Sequence, residues 1–389
     1  MGVDALTFEG YERADGSVGV RNYLLILSVT GLTGPTARRI GRVVSGAKVV
    51  TTPYGSGLMG EDAIVQNRAL IAFGCHPNVG STLVIGASST SVAHIADAIA
   101  QSGKPVERLL FDDCDHDAVT LTERGIRIGA RLARELSRQR RRRVGFDRLF
   151  LALECGRSDP SSGLVSNPLV GRVVDSVVAA GGRAVLGETI EWLGAEHLLI
   201  ARAANAAVGT AIREAVERRE RLAIDAGMDL LGNNPGPTNI AAGLSTIEEK
   251  SLGAIAKGGS STVRGVIDIA QAPPGPGLYL MDAPAYAPES VGGLVAAGAQ
   301  ITLFTTGVGN SFVSGLAPTI KISANPVTTS RLREQLDFDA SDVFESRASL
   351  EDSAARLTAW MAEVASGTLT WGEIMDEGED VVSRLGPAL

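Results

Sequence analysis

The chain has 389 residues, of which 44% are hydrophobic and 21% charged, with a formal net charge of −8. That length exceeds one compact core and predicts two domains, and the acidic balance argues against nucleic acid or an anionic membrane as the main partner. No apolar run reaches the roughly eighteen residues of a membrane span. The opening Met1-Gly2 stretch lacks a basic n-region and an apolar h-region, and Leu6 stands where N-myristoylation wants Ser or Thr. Three cysteines, at 75, 114 and 155, are too few and too scattered for a disulfide framework, so a reducing cytoplasm is expected.

Residues 22–28 form a short apolar run with β-character, followed by Thr30-Gly31-Leu32-Thr33-Gly34-Pro35 and a helical pattern over 36–44. The glycine turn lacks both G-x-G-x-x-G and the Lys-Ser/Thr of a P-loop, so a nucleotide-dependent enzyme finds no fingerprint here. Strands are predicted at 47–52, 82–85 and 108–111, and helices at 61–73, 91–101 and 119–138. This alternation predicts βαβ units and a parallel sheet.

The run Arg138-Gln139-Arg140-Arg141-Arg142-Arg143 reads as solvated surface that complements a helix C-terminus. It also marks the expected boundary between an N-terminal lobe, 1–145, and a C-terminal lobe, 146–389.

The second series opens with an apolar strand at 149–153. It runs into Glu154-Cys155-Gly156-Arg157-Ser158-Asp159-Pro160-Ser161-Ser162-Gly163 and then a helix near 167–180. A buried strand feeding a loop of small polar residues is the layout of an α/β active-site crevice. Further strands are expected at 183–186, 278–281, 300–304 and 319–323, with helices at 196–219 and 290–297. The glycine- and proline-rich segment Gly232-Asn233-Asn234-Pro235-Gly236-Pro237-Thr238-Asn239 interrupts the pattern. A helical stretch then ends at Lys257-Gly258-Gly259, and an amphipathic helix begins near 350. The fold class expected is α/β, with two doubly wound, Rossmann-like parallel-sheet lobes and a site in the crevice between them.

Several motifs in collinear order resemble one family. They include Arg13-x-Asp15-Gly16-x-Val18-Gly19-Val20-Arg21-Asn22-Tyr23, His76-Pro77-Asn78-Val79-Gly80 and Cys155-Gly156-x-Ser158-Asp159. Glu248-Glu249-Lys250-Ser251-Leu252-Gly253-Ala254-Ile255-x-Lys257, Met281-Asp282-x-Pro284, Phe304-Thr305-Thr306-Gly307 and Ala317-Pro318-Thr319-Ile320-Lys321 continue the series. Together they resemble the catalytic portion of the altronate/galactarate dehydratase family, which includes the large subunit of sulfolactate sulfo-lyase. The resemblance implies a lyase that removes a β-substituent from a 2-hydroxy acid with a divalent metal, typically iron(II). It also implies a small β-rich, SAF-like module, fused or separate. The sequence departs from the family pattern at Ser56 and Ser89, where relatives carry cysteines. A hydroxyl replaces a thiolate poorly, so manganese or magnesium enters beside iron as a candidate.

β-Elimination needs a base for the α-proton, a counter-charge for the resulting dianion and an acid for the leaving group. The candidate catalytic residues are Lys257, Cys155, His76 and Lys250. Cys155, Asp159, Glu188 and Asp282 are the candidate metal ligands, and Glu191 also falls just past a predicted strand. Arg21, Ser158, Ser162, Asn167, Asn239, Thr305 and Thr306 are candidates for holding a polyhydroxylated substrate. Asp112-Asp113-Cys114-Asp115-His116-Asp117 carries ligand types, but successive strand residues point to opposite faces. The favoured reading is metal-dependent dehydration of a sugar acid to a 2-keto-3-deoxy acid by an enzyme expected to be a homo-oligomer. Its alternatives are a sulfo-lyase large subunit and a non-catalytic sugar-acid-binding or regulatory subunit.

Overall fold

The computed structural model describes residues 6–230 and 234–384. The chain start, on which the signal and myristoylation expectations partly rest, and Gly232-Asn233 of the glycine-rich segment lie outside the described residues. Among those described, no helix is long and apolar enough to cross a membrane.

The strands in chain order begin with β1 (Thr7–Glu12), β2 (Val18–Gly19), β3 (Tyr23–Ser28), β4 (Ala47–Thr51), β5 (Val79–Gly86), β6 (Val106–Leu110) and β7 (Arg142–Gly145). They continue with β8 (Phe150–Cys155), β9 (Arg183–Leu186), β10 (Val263–Asp268), β11 (Gly277–Asp282), β12 (Ile301–Thr305), β13 (Thr319–Ser323) and β14 (Phe338–Asp339). Two sheets are parallel throughout, ordered β4-β3-β5-β6 and β10-β11-β9-β8-β12-β13-β14. Two Rossmann-like lobes result, as the strand–helix alternation predicts. Their central strands β5 and β8 are buried at every residue, which is why neither shows the apolar–polar alternation of a half-exposed strand.

A small antiparallel sheet, β2-β1-β7, joins the ends of the first lobe. Its strand β7 begins inside the arginine run, so that run is not solvated surface alone. Arg141 donates to the carbonyls of Glu9, Val20 and Ala365 and lies over the Tyr11 ring, 4.7 Å from its centroid. A guanidinium can serve several carbonyls from one planar fork.

The lobes share an apolar core. Leu25, Phe73 and Ile95 of the first lobe belong to the same cluster as Phe150, Met281, Val291 and Phe304 of the second. Polar pins cross the junction. Asn78 donates to the carbonyls of Gln300 and Leu316, at 2.9 Å each, and accepts from the Val20 amide. His76 is fully enclosed. Its Nδ1 accepts from the Asn78 amide, which leaves Nε2–H to donate to the Ala299 carbonyl at 2.9 Å. Burial pulls this imidazole down to about 3, so it stays neutral. His76 is therefore an interlobe pin, not the acid, base or ligand that a loop histidine suggested.

Arg21 is likewise structural rather than substrate-binding. Its guanidinium makes a two-point contact with Glu373, at 2.6 and 2.8 Å, and donates to the carbonyls of Val364 and Thr368. Tyr23 donates to the same carboxylate. This ties the short helix Trp371–Ile374 back onto the first lobe. Arg21→Ala leaves a buried carboxylate without its cation, a change that typically costs about 3–5 kcal/mol. The expected outcome is a marked fall in the urea midpoint, with Arg21→Lys in between because one ammonium cannot match the fork.

Candidate active site

The carboxyl edge of the seven-stranded sheet carries the site. Strand β8 extends through Glu154 and Cys155, and neighbouring strand residues face opposite ways. Glu154 thus shares a row with Phe304 on the side of the interlobe core, while the Cys155 thiol faces Glu191. Strand β9 ends at Leu186. Gly187 follows where a Cβ would collide with Ser290 Oγ, and Glu188 adopts a left-handed backbone, φ 51° and ψ 74°. That conformation is uncommon for a residue with a Cβ and turns the chain sharply. The turn Thr189–Trp192 then presents Glu191.

Two lysines arrive from the other side. Lys250 lies on the helix Ile247–Ala254 and Lys257 on the 3-10 turn that continues it. A spacing of seven keeps them on one helical face. Lys250 Nζ meets Glu191 Oε1 at 2.6 Å and Lys257 Nζ meets Oε2 at 3.0 Å. Lys250 also donates to Asn234. Cys155 Sγ donates to the same Glu191 carboxylate, at 3.3 and 3.4 Å.

Glu154, Glu188 and Glu191 are buried and place one oxygen each within 4.8 Å of one another. Three carboxylates and two ammoniums leave this cluster one negative charge in excess. The electrostatics divide accordingly. Burial alone would raise Glu191, but the two ammoniums win and hold it well below the ordinary carboxylate range. Burial first, and then the neighbouring carboxylates, push Glu188 well above that range. Glu154 is raised to about 7, by burial and by Glu191, against the pull of Lys257. Burial would lower both lysines, yet the surrounding acidic groups raise Lys250 to about 12 and Lys257 higher still. Burial and Glu191 push the Cys155 thiol up to about 12. It is a neutral hydrogen-bond donor here, not a thiolate.

Glu188, Glu191 and Lys250 of this cluster line a cavity of about 1180 Å³, while Glu154 and Lys257 stay buried outside its lining. Cys155, Glu188, Glu191, Asn234, Asn239 and Lys250 supply its polar wall, and Leu222, Met228, Tyr286 and Phe312 an apolar one. All the lining side chains come from the second lobe. The expected crevice between lobes is not where this cavity lies, because the facing surfaces are taken up by the shared core.

The structure gathers Cys155, Glu188, Lys250 and Lys257 but leaves other candidates apart. Asp159 is bound by Ser161 Oγ at 2.6 Å, the Ser162 amide at 3.1 Å and Asn325 Nδ2 at 2.7 Å. Asp282 pairs with Arg218 and Arg219, at 2.9 Å each, and accepts from Thr189 at 2.7 Å. Asp159 is thus satisfied by neutral donors and Asp282 by two arginines, and neither belongs to the three-carboxylate group. Thr305 donates to Asn167, which donates to the Gly253 carbonyl and so positions the lysine-bearing helix. Thr306 accepts from the Gly309 amide and Ser162 donates to Asp159. Asn239 reaches the cavity while donating to the Ser158 carbonyl, and Ser158 itself is buried. Asp112–Cys114 is a 3-10 turn, Asp117 caps the next helix, and this run holds no three-ligand group among the described residues.

Glu154 is the residue that sequence reasoning passed over. Its signal was an acid at the end of an otherwise apolar strand run, a position that needs compensation when buried.

Comparison with known proteins matches residues 146–388 to the family model described as D-galactarate/altronate dehydratase, C-terminal. Residues 10–137 match the D-galactarate dehydratase/altronate hydrolase second domain. The chain belongs to the galactarate/altronate dehydratase family. Within it, the chain is 35% identical to the (2R)-sulfolactate sulfo-lyase subunit beta of Chromohalobacter salexigens, over 99% of both chains. It is 32% identical to the altronate dehydratase of Escherichia coli, covering 97% of this chain and 78% of that protein. The Escherichia coli galactarate dehydratase (L-threo-forming) is 29% identical over 94% of this chain and 74% of its own. These family members are lyases acting on hydroxy or sulfonated acids, according to their names. Ser56 and Ser89 lie in the first lobe, apart from the three glutamates of the second.

A pH experiment tests the site electrostatics. A carboxyl raised in the folded state binds its proton more tightly there than in the unfolded chain. Stability therefore falls as pH rises from the ordinary carboxylate value to about 7 for Glu154. Denaturant unfolding of divalent-free protein should show Glu154→Gln flattening that descent across this window. Parallel wild-type and variant curves would refute the assignment.

Proposed function

We propose that the protein is a lyase that eliminates a β-substituent from a 2-hydroxy carboxylate, and that the cavity lined by Glu188, Glu191 and Lys250 is its active site. The observation that carries this reading is the meeting of three buried carboxylates and two buried ammoniums at the foot of one cavity. The favoured reaction is dehydration of a sugar acid to a 2-keto-3-deoxy acid, supported by the dehydratases among the relatives.

The residues present fit a divalent cation. Glu154 Oε2 has no hydrogen-bond partner, and two of the carboxyls are raised, by burial first and by neighbouring carboxylates second. Glu154 and Glu191 would hold it, as hard oxygen donors suited to magnesium, manganese or iron(II), with Glu188 outside the ligand set. A cation bound there would supply Lewis-acid stabilisation to the substrate carboxylate.

The chain's own residues supply the rest. Glu188 lines the cavity and is the base we assign, its carboxylate accepting the α-proton. A raised value suits a base working near neutrality. The Cα–H electron pair becomes the new double bond, and the β-oxygen departs with the Cβ–O bonding pair and takes its proton from water in the cavity. Lys250 and Lys257, held charged by Glu191, are not bases but a fixed positive field for the dianion that forms. Asn234 and Asn239 offer amides to substrate hydroxyls. The resulting enol then ketonises in solution.

Elimination of sulfite is the second reading, favoured by the 35% identity over 99% of the sulfo-lyase subunit. The same relationship supports a separate partner polypeptide, because that relative is named as one subunit of an enzyme.

Anaerobic turnover of a panel of sugar acids and of sulfolactate tests the reading, with 2-keto acid and sulfite measured in the presence of iron(II), manganese or magnesium. Metal-stimulated product from one class is expected. Glu188→Gln should lower kcat by about 10²–10⁴-fold with little change in KM. The acidic limb of wild-type kcat/KM should lie well above the ordinary carboxylate value. Absence of product with every metal, with a companion subunit present, would favour the non-catalytic binding reading.

A further inference from the structure

Among the described residues, the cations lining the elimination cavity are Lys250, Arg219 and Arg157. Lys250 is held by Glu191 and Arg219 by Asp282, at 2.6 and 2.9 Å. Arg157 is exposed, makes no ion pair and donates no hydrogen bond to any described residue. Glu289, Glu377 and Glu379 line the same cavity, yet none of them comes within ion-pair distance of its guanidinium.

The backbone that carries this arginine is both strained and fixed. Arg157 follows Cys155 and Gly156 in the loop after β8 and has a left-handed conformation, φ 56°. A residue with a Cβ is disfavoured there and glycine is not, so the side chain is kept at a backbone cost. Its carbonyl accepts from the Gly307 and Val308 amides, at 3.2 Å each, and the Gly156 amide donates to the Thr305 carbonyl at 3.1 Å. These bonds set the point at which the guanidinium leaves the wall. Two residues of chain reach at most about 7 Å, so that point lies within a short acid's length of the contact between Cys155 and Glu191.

An unclaimed guanidinium in a reaction cavity calls for an oxyanion, which it meets through two parallel N–H···O bonds. A singly charged hydroxy acid spends its one carboxylate at the reacting end and leaves Arg157 unused. A doubly charged acid would find Glu289, Glu377 or Glu379 elsewhere along the wall, where like charges repel. We propose that Arg157 receives a second oxyanion of the substrate, at the end opposite the reacting carboxylate, and so selects doubly charged acids over their singly charged counterparts. That oxyanion is a carboxylate or a sulfonate. The inference rests on the lyase reading, which places the first carboxylate at the cluster.

Isothermal titration of the full chain in magnesium-containing buffer, with two matched pairs of acids, provides the test. Galactarate and galactonate differ only in a far carboxylate against a hydroxymethyl group, and sulfolactate and glycerate only in a sulfonate against a hydroxyl. In at least one pair the dianion should bind about tenfold or more tightly than its partner, and Arg157→Gln should shrink that ratio by about tenfold. Arg157→Lys should fall between, because one ammonium does not match a two-point contact. Arg157→Gly suits the left-handed backbone, so it should lose the preference while its urea midpoint stays at or above that of wild type. A loop-stabilising role for the arginine cannot give that combination. A preference in the galactarate pair assigns a carboxylate, and one in the sulfolactate pair a sulfonate. Equal affinities within both pairs, no binding by either dianion, or a preference that Arg157→Gln leaves intact overturns the proposal. Anaerobic turnover of the same four acids separates it from the reading beneath it. Turnover without an Arg157-dependent preference overturns this inference and leaves the lyase standing. Arg157-dependent binding without turnover of any acid, with metal and companion subunit present, overturns the lyase and leaves the arginine as the anchor of a bound diacid.

Discussion

A single carboxylate, Glu191, organises the candidate site. It receives Cys155 from the end of β8 and both Lys250 and Lys257 from one helical stretch. Burying two ammoniums would ordinarily be prohibitive, because each loses several kcal/mol of hydration. Here the attraction is paid back through short contacts to one anion that is itself enclosed. Loss of Glu191 would leave two buried cations, so this pairing decides whether the lysine-bearing helix can close over the sheet edge at all.

The same arrangement separates the chemical roles of like residues. Glu191 has two cations and stays ionised. Glu154 and Glu188, a few ångströms away, face burial and negative neighbours and are raised. Environment, not residue type, thus sorts three identical side chains into a fixed anion and two carboxyls that hold their protons more tightly than usual. The lysines, as permanent ammoniums, become electrostatic elements. The neutral Cys155 thiol is a hydrogen-bond donor whose burial matches its place at the end of β8.

Stiffness around the site comes from polar pins rather than from the site itself. His76 and Asn78 join the lobes, and Arg21 with Glu373 secures the C-terminal segment to the first lobe. Asp159, bound by serines and Asn325, holds the loop after β8, while the Thr305–Asn167–Gly253 chain positions the helix of Lys250. Several motif residues are therefore structural around the site, not reactive within it. A motif marks residues that a fold needs, and buried hydrogen bonds are as demanding of residue type as catalysis is.

The sequence by itself determined the two parallel-sheet lobes, because strand–helix alternation with apolar central strands permits few other arrangements. It also determined the family, through motifs spread along the chain, and placed Cys155, Glu188, Lys250 and Lys257 near strand or helix ends. Only the tertiary structure decided which acids meet. Asp159, Glu188 and Asp282 look alike in sequence, each following a strand, but two are matched by local donors or arginines and one is left facing other carboxylates. Glu154 was hidden for the same reason. Whether a buried charge is compensated depends on what distant segments bring within a few ångströms, and no local pattern carries that distance.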